Sequence, residues 1–157
     1  MDAIRFLKVA DSICGHVETD ESFKIRRNVW HSLGSTGMEI NDVEMCLSYT
    51  AKVLALTKSL AQTTKGYEHK TAQAYNQHAI GLIMAGDLLE AEKELREAIA
   101  ILSTLEDREL ASSQKLNLGY CLWLQGGSRL GDAKVILEDG LRHRIAKWGV
   151  DDTYSYK

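Results

Sequence analysis

Apolar residues recur at helical spacing along most of this chain. In the first segment Ile4, Leu7, Ala10 and Cys14 lie three or four residues apart, and Val17 continues the series. A second stripe, in the middle of the chain, consists of Ala91, Leu95, Ala98, Ile99 and Leu102. This spacing places each set on one face of an amphipathic helix.

Glycines and polar residues divide the chain into seven predicted helices. These run over about 2–17, 21–38, 41–65, 68–85, from 87 onward, 108–125 and 130–148. Asp87 should cap the fifth helix, with Glu90 three residues later as in a capping box. Connections this short make neighbouring helices antiparallel. No strand-like alternation and no linker interrupts the pattern, so we expect one all-α domain.

One segment of the chain occurs twice. Gly86, Ala91, Leu95 and Ala98 are matched by Gly126, Ala133, Leu137 and Gly140, at separations of 40 to 42 residues. A repeat period of about 20 to 50 residues is typical of proteins built from stacked units. The chain is therefore predicted to be an α-solenoid, a fold that commonly presents a binding surface.

The composition agrees with long helices and limits the possible functions. Average usage of about 5% would give roughly eight prolines in a chain of this length, and this chain has none. Its 19 basic and 22 acidic residues nearly balance, so no strong field for nucleic acid is expected. A chain of 157 residues can bury a sufficient core without metals or disulfides.

The cysteines and the absence of long apolar runs indicate the cellular compartment in which the protein is expected. Cys14, Cys46 and Cys121 form no C-x-x-C pair, which favours small core residues in a reducing compartment. The chain begins without a signal-like segment and has no apolar run long enough for a membrane span. We therefore expect a cytoplasmic or nuclear protein with no cofactor.

The first helices of three predicted units share a motif. It is found as Trp30-His-Ser-Leu33-Gly34, Tyr75-Asn-Gln-His78-Ala79 and Lys115-Leu-Asn-Leu118-Gly119. The second helices supply small, large and small positions at Cys46, Thr50 and Val53, at Ala91, Leu95 and Ala98, and at Ala133, Leu137 and Gly140. With these motifs the chain resembles the tetratricopeptide repeat (TPR) family in its longer, kinesin-light-chain-like form. It is most similar to the fungal TPR domains associated with NLR-type (STAND) NTPases.

The resemblance implies a right-handed superhelix of antiparallel helix pairs. The predicted units are an N-terminal helix at 1–20, a divergent repeat at 21–66, repeats at 67–107 and 108–150, and the start of a fourth unit at 151–157. Thr50 departs from the pattern, because a large apolar residue is expected there. Two extra residues after Gly126 predict a longer turn before the last helix.

The resemblance also implies a concave groove lined by the first helices. In the family, an asparagine at the position of Asn117 holds the backbone of an extended peptide, and Gln77 and Ser32 are its counterparts here. Tyr120 and Trp123 lie one turn apart and would add apolar contact. The predicted groove residues are Asn117, Gln77, Tyr120, Trp123, His31, Asn28 and Gln73. The alternatives are that Asn117 bonds a neighbouring helix and that Trp123 packs in the core.

The histidines and glycines give no indication of catalysis. His31 and His78 are expected on equivalent helix faces, either lining the groove or buried with a partner. The five histidines form no HExxH motif and no i, i+4 pair, so no metal site is predicted. No nucleophile elbow or phosphate-binding glycine motif is present, and we do not expect an enzyme.

These observations predict a protein-interaction module that binds a peptide or a partner helix, with no nucleic acid and no membrane as partner. One alternative is an oligomerisation or regulatory segment of a larger NLR-type switch protein, and a small helical enzyme is a third. The seventh helix has apolar residues on more than one side, which makes self-association through this helix a further hypothesis. These residues are Val135, Ile136, Leu137, Leu141, Ile145 and Trp148.

Overall fold

The structure is a computed structural model that describes residues 3–14 and 19–148. Over these residues all regular secondary structure is helical, and the prediction of an all-α fold with about seven helices is confirmed. The helices are α1 (Ala3–Cys14), α2 (Asp20–Glu39), α3 (Val43–Ala61), α4 (Glu68–Ala85), α5 (Leu88–Thr104), α6 (Arg108–Gln125) and α7 (Arg129–Trp148). The predicted extension of the first helix to Val17 and the predicted fourth unit lie outside the described residues.

Aspartate side chains cap three of the helices. Asp42 accepts a hydrogen bond from Met45 N at 2.9 Å, and Asp107 accepts one from Leu110 N at 2.9 Å. Asp87 bonds Glu90 N at a longer 3.4 Å, which is one half of the predicted capping box. Each carboxylate accepts a hydrogen bond from a backbone N–H that has no partner within its helix. Its negative charge also interacts favourably with the positive end of the helix dipole.

A full capping box begins α2, close to the predicted start of this helix at residue 21. The Thr19 hydroxyl accepts from Ser22 N at 3.2 Å, and Ser22 Oγ accepts from Thr19 N at 2.9 Å. A serine replaces the usual glutamate or glutamine in this motif. That substitution explains why the sequence pattern did not indicate the box.

The helices pack in the order of the chain. Each helix contacts the one before and the one after it, and α4 also contacts α6. Two residues connect α4 to α5 and three connect α6 to α7, so these neighbours run antiparallel. The first helices of the pairs are α2, α4 and α6, and the second helices are α3, α5 and α7.

The same close contact recurs within the helix pairs. A β-carbon on Gly34 would lie 2.8 Å from Thr50 Cγ2, and one on Gly119 would lie 2.7 Å from Leu137 Cδ2. Both distances are too short for a real side chain, so a β-carbon at either glycine would force the facing side chain to move. Thr50 occupies the same packing position as Leu137, and its hydroxyl donates to Cys46 O at 2.7 Å.

The turn before α7 is longer than its counterpart, as predicted. Gly86 and Asp87 alone separate α4 from α5, and Gly86 adopts φ 83°. Residues 126–128 separate α6 from α7, with Gly126 at φ 68° and Gly127 at φ 53°. A positive φ angle is strained for residues that have a β-carbon, so glycine is favoured at both positions.

The largest buried cluster joins the last two helix pairs. It contains Leu82 of α4, Leu95 of α5, and Leu118 and Leu122 of α6. Four smaller residues fill the space between them, Ala79, Ala91, Cys121 and Ala133. Each of the four leucines is at least nine-tenths buried. At the ends of the array, Phe6, Val9 and Ile13 of α1 and Val135, Leu141 and Ile145 of α7 remain exposed.

Candidate functional site

Two equivalent hydrogen bonds link the first helices to one another. Gln77 of α4 and His31 of α2 have their Nε2 atoms 2.7 Å apart, and Asn117 of α6 donates from Nδ2 to Asn76 Oδ1 of α4 at 2.8 Å. Asn117 is the counterpart of Gln77 in the next unit, so the same bond is repeated along the array. We call the surface around these bonds the first-helix face. It comprises the seven predicted groove residues, Asn28, His31, Gln73, Gln77, Asn117, Tyr120 and Trp123.

Four of the seven predicted groove residues meet in one pocket between α2 and α4. The pocket has a volume of about 170 Å³. Its lining consists of Arg27, Asn28, His31, Val53, Lys70, Gln73, Ala74 and Gln77. The remaining three predicted residues, Asn117, Tyr120 and Trp123, all lie on α6 and do not line it.

This pocket has two cations and no carboxylate in its lining. The Arg27 guanidinium donates from Nη2 to Asn28 Oδ1 at 2.8 Å, while its Nη1 is buried and has no hydrogen-bond partner. Lys70 forms no ion pair with any described residue. An unbalanced positive charge of this kind in a depression favours an anionic group.

His31 is neutral in this environment. Burial and the nearby Arg27 charge both hold the pKa of His31 below its ordinary value of 6.5. The amide nitrogen of Gln77 can only donate, so the Nε2 atom of His31 is the acceptor in the bond between them. The histidine therefore presents a neutral ring beside the cations.

Tyr120 and Trp123 form an exposed aromatic stack on α6. Their ring centroids are 5.9 Å apart and the ring planes meet at 22°. Tyr120 is 50% exposed and Trp123 is 56% exposed. Trp123 therefore does not pack in the core, which was the alternative considered from the sequence. Exposed stacked aromatics are frequent anchor points for a partner.

Asn117 forms a hydrogen bond with a neighbouring helix, which is one of the two roles expected for it from the sequence. Its Nδ2 bonds Asn76, and it is half-buried. One helical turn earlier, the side-chain nitrogen of the buried Gln114 donates to Ala72 O at 3.4 Å. The Oε1 atom of Gln114 has no hydrogen-bond partner. Polar side chains at the contact between α4 and α6 therefore serve to join the two helices.

Two ionisable side chains have partners on neighbouring helices. His78 takes the second of the two outcomes expected for it: its side chain is largely buried, and its Nδ1 lies 2.8 and 2.9 Å from the two carboxylate oxygens of Glu94 on α5. Glu92 of α5 lies next to the exposed Lys93, yet its own side chain is only 14% exposed. It accepts hydrogen bonds from Gln125, Arg96 and Arg129. Neither contact is predictable from spacing within one helix.

A larger groove lies elsewhere, between α5 and α7. Its volume is about 520 Å³ and its floor contains Ile99, Leu118, Val135 and Ile136. None of the predicted groove residues lines it. The charges at its rim are partly matched, since Lys115 Nζ lies 2.6 Å from Asp139 Oδ2. Its lining includes the carboxylates of Glu138 and Asp139 beside its cations, whereas the pocket between α2 and α4 has cations alone.

Within residues 3–14 and 19–148, no group of three or more His, Cys, Asp or Glu side chains could hold a metal ion. In the same part of the chain, no helix combines the length and the apolar character that a membrane crossing requires. No protein-family model, curated protein or solved structure matches the sequence.

Proposed function

We propose that this protein is an interaction module that binds an extended peptide segment across the first-helix face. The observation that carries the proposal is the pocket between α2 and α4, where Arg27 and Lys70 stand without a carboxylate among polar side chains. A peptide carboxylate there would receive charge-assisted hydrogen bonds. A small rotation of the Arg27 guanidinium would also give its unpaired Nη1 an acceptor.

The opposite end of the face supports an apolar contact. The Tyr120 and Trp123 rings are exposed and stacked against each other, so a ligand that covers them loses little side-chain entropy. An apolar or aromatic residue of the peptide would bury surface here at about 25 cal/mol per Å². The proposed ligand therefore combines an acidic group with an apolar one.

Asn28, Gln73 and Gln77 would then bond the peptide backbone. All three line the pocket with the two cations, and amide side chains both donate and accept. Asn117 has one hydrogen bond to Asn76, which leaves its Oδ1 and second N–H for a ligand. In this proposal Asn117 both joins α6 to α4 and contacts the peptide.

The family assignment is part of the same proposal. The recurrent glycine contacts and the sequential packing of helix pairs support a tetratricopeptide-type array, and the sequence motifs favour the kinesin-light-chain-like form. A cytoplasmic location agrees with this role. The alternative, a regulatory or oligomerisation segment of a larger NLR-type protein, is favoured by the exposed apolar faces of the terminal helices. The third alternative, a small helical enzyme, has no specific observation in its favour.

Selection from a displayed random-peptide library tests the proposal. Peptides selected on the native chain should contain acidic residues more often than the starting library. The double substitution Arg27→Gln, Lys70→Gln should weaken their binding at least about tenfold, because each charged hydrogen bond contributes about 1.5–3 kcal/mol. Fluorescence anisotropy with a labelled peptide measures this change.

A matched control lies on the outer side of α5. Lys93→Gln removes one cation that is 67% exposed in its side chain and paired only with Glu90. This variant should bind as the native protein does. If the control weakens binding as much as the pocket substitutions, the effect reflects net charge, and the pocket is not the binding site.

A further inference from the structure

The first helices α2, α4 and α6 run in the same direction. Each helix packs against the next one along the chain, and the connections from α2 to α6 have two to six residues. Connections this short make successive helices antiparallel, so α2, α4 and α6 are parallel to one another. Their N-terminal ends therefore lie at the same edge of the first-helix face.

Two hydrogen bonds fix the level at which these helices lie beside one another. His31 of α2 bonds Gln77 of α4 at 2.7 Å, and Asn117 of α6 bonds Asn76 of α4 at 2.8 Å. Side chains in direct contact across parallel helices belong to residues at similar heights along the two axes. His31, Gln77 and Asn117 therefore mark one level that crosses the first-helix face.

The two cations of the pocket lie on the N-terminal side of this level. Arg27 comes four residues before His31, and Lys70 comes seven residues before Gln77. With a rise of about 1.5 Å per residue, these positions are about 6–10 Å from the level. The positive charge of the face is therefore near its N-terminal edge, between α2 and α4.

The aromatic stack lies on the other side of the same level. Tyr120 comes three residues after Asn117, and Trp123 comes six residues after it. These positions are about 5–9 Å beyond the level, toward the C-terminal end of α6. The cations and the aromatic rings therefore occupy opposite corners of the first-helix face, and the line that joins them crosses the face diagonally.

The diagonal between the cations and the rings is about 20 Å long. Its component along the helix axes is about 15 Å. Its component across the helices is about 14 Å, or one and a half times the roughly 8–10 Å between packed helix axes. An extended chain advances about 3.3 Å per residue, so about six residues of extended peptide span the distance.

We propose that the first-helix face selects extended peptides in which an acidic side chain and an aromatic side chain lie about six residues apart. The inference rests on the proposed function and adds the spacing of the two groups. The acid would meet Arg27 and Lys70, which have no carboxylate beside them in the pocket. Gln77 and Asn117, at the middle level, lie where the peptide backbone would cross.

The spacing also distinguishes an extended ligand from a helical one. A helix advances only about 1.5 Å per residue, so a helical ligand would need about fourteen residues between the same two groups. An extended peptide exposes its backbone N–H and C=O groups, which amide side chains such as Gln77 and Asn117 can bond. The amides along the diagonal therefore favour the extended form.

Calorimetric titration with a set of synthetic peptides tests the spacing. Three serine-glycine peptides carry one glutamate and one phenylalanine at separations of two, six or ten residues, each made in both orders. Both termini are blocked, so the glutamate is the single charged group. A fourth peptide has a helix-forming alanine-glutamine chain and a separation of fourteen. The separation of six should bind at least about tenfold more tightly than that of two, because only the longer peptide reaches both sites at once.

Two variants show whether this advantage comes from the aromatic stack. Trp123→Ala should remove most of the difference between the separations of six and two. The control is Leu89→Ala, which shortens another exposed apolar side chain, on α5 and outside the first-helix face. This control should keep the full difference.

The outcomes separate the spacing from the proposed function. Equal affinity at all separations, weakened by the double substitution Arg27→Gln, Lys70→Gln, would overturn the spacing and leave peptide binding at the pocket intact. Tightest binding by the helical peptide would overturn the extended form. Affinities that the double substitution leaves unchanged, or no binding at any separation, would overturn both proposals.

Discussion

Asn117 shows how one side chain can serve packing and recognition at the same time. Its hydrogen bond to Asn76 fixes α6 against α4, and the motif around it predicted contact with a ligand. Replacing it with alanine should weaken peptide binding while the protein stays folded. The free energy of unfolding should fall by about 0.5–1.5 kcal/mol, since Asn76 loses its partner.

Thermal denaturation and anisotropy on the Asn117→Ala protein separate the two roles. The control is Asn76→Ala, which breaks the same hydrogen bond but leaves Asn117 free to contact the ligand. We expect similar stability in the two variants and weaker binding only in Asn117→Ala. Equal loss of binding in both would assign Asn117 a purely structural role.

Glu92 is the residue through which α5 holds the next helix pair. Burial raises the pKa of its carboxyl, but hydrogen bonds from Gln125, Arg96 and Arg129 outweigh burial and place the pKa below the ordinary 4.5. The unfolded chain therefore binds a proton at this site more readily than the folded chain. The stability that Glu92 contributes is present above about pH 4.5 and is lost as the pH falls through the lower folded-state pKa.

The substitution Glu92→Gln tests this contribution. At neutral pH it should lower the free energy of unfolding by about 1.5–3 kcal/mol, the range for hydrogen bonds to charged groups. The difference from the native protein should shrink as the pH falls below 4.5. Urea denaturation at a series of pH values measures both effects. Glu97→Gln, at an exposed position of the same helix, should change stability by less than about 0.5 kcal/mol.

At the scale of helices, the close approach of α6 and α7 depends on Gly119. A β-carbon there would lie 2.7 Å from Leu137 Cδ2, so Gly119→Ala should destabilise the protein by about 1–3 kcal/mol through overpacking. Gly131→Ala is the matched control, because a β-carbon at Gly131 of α7 meets nothing within 4 Å. Alanine there should be neutral or stabilise by up to about 1 kcal/mol.

Chemical denaturation of both variants gives the two free energies. Shortening Leu137 to alanine in the Gly119→Ala background should recover part of the loss, because the two side chains compete for one space. A Gly119→Ala protein as stable as the native chain would show that α6 and α7 can separate at low cost. The repeated glycine positions would then not define the packing of the units.

Local signals in the sequence were sufficient to predict most of the helices. Gly86 and Asp87 mark the boundary between α4 and α5, and α4 and α6 match their predicted bounds. The contacts between helices were less predictable. His78 meets Glu94 and Glu92 meets Arg129 because the packing of whole helices sets their rotation, which spacing within one helix does not determine.

The same reasoning applies to the candidate site. Asn28, His31, Gln73 and Gln77 were chosen by their positions in the repeat, and they share one pocket. Arg27 and Lys70 were not chosen, although they provide its charge. Both cations lie one helical turn before a predicted residue, Arg27 before His31 and Lys70 before Gln73. The absence of a carboxylate among them depends on how three helices pack together. Asn76 was likewise identified only by its contact with Asn117.

At the scale of the whole molecule, the array separates two surfaces on different helices. The first-helix face on α2, α4 and α6 offers cations, amides and an aromatic stack. The outer side of α7 leaves Val135, Leu141 and Ile145 exposed at one end of the array.

The central claim is that ligands bind across the first-helix face. The most direct test is an NMR chemical-shift map of the isotope-labelled protein with an acidic peptide selected from the random library. We predict that the largest changes fall on the side-chain amides of Asn28, Gln73 and Gln77 and on the indole N–H of Trp123. Changes confined to the groove between α5 and α7, with these signals unmoved, would contradict the claim.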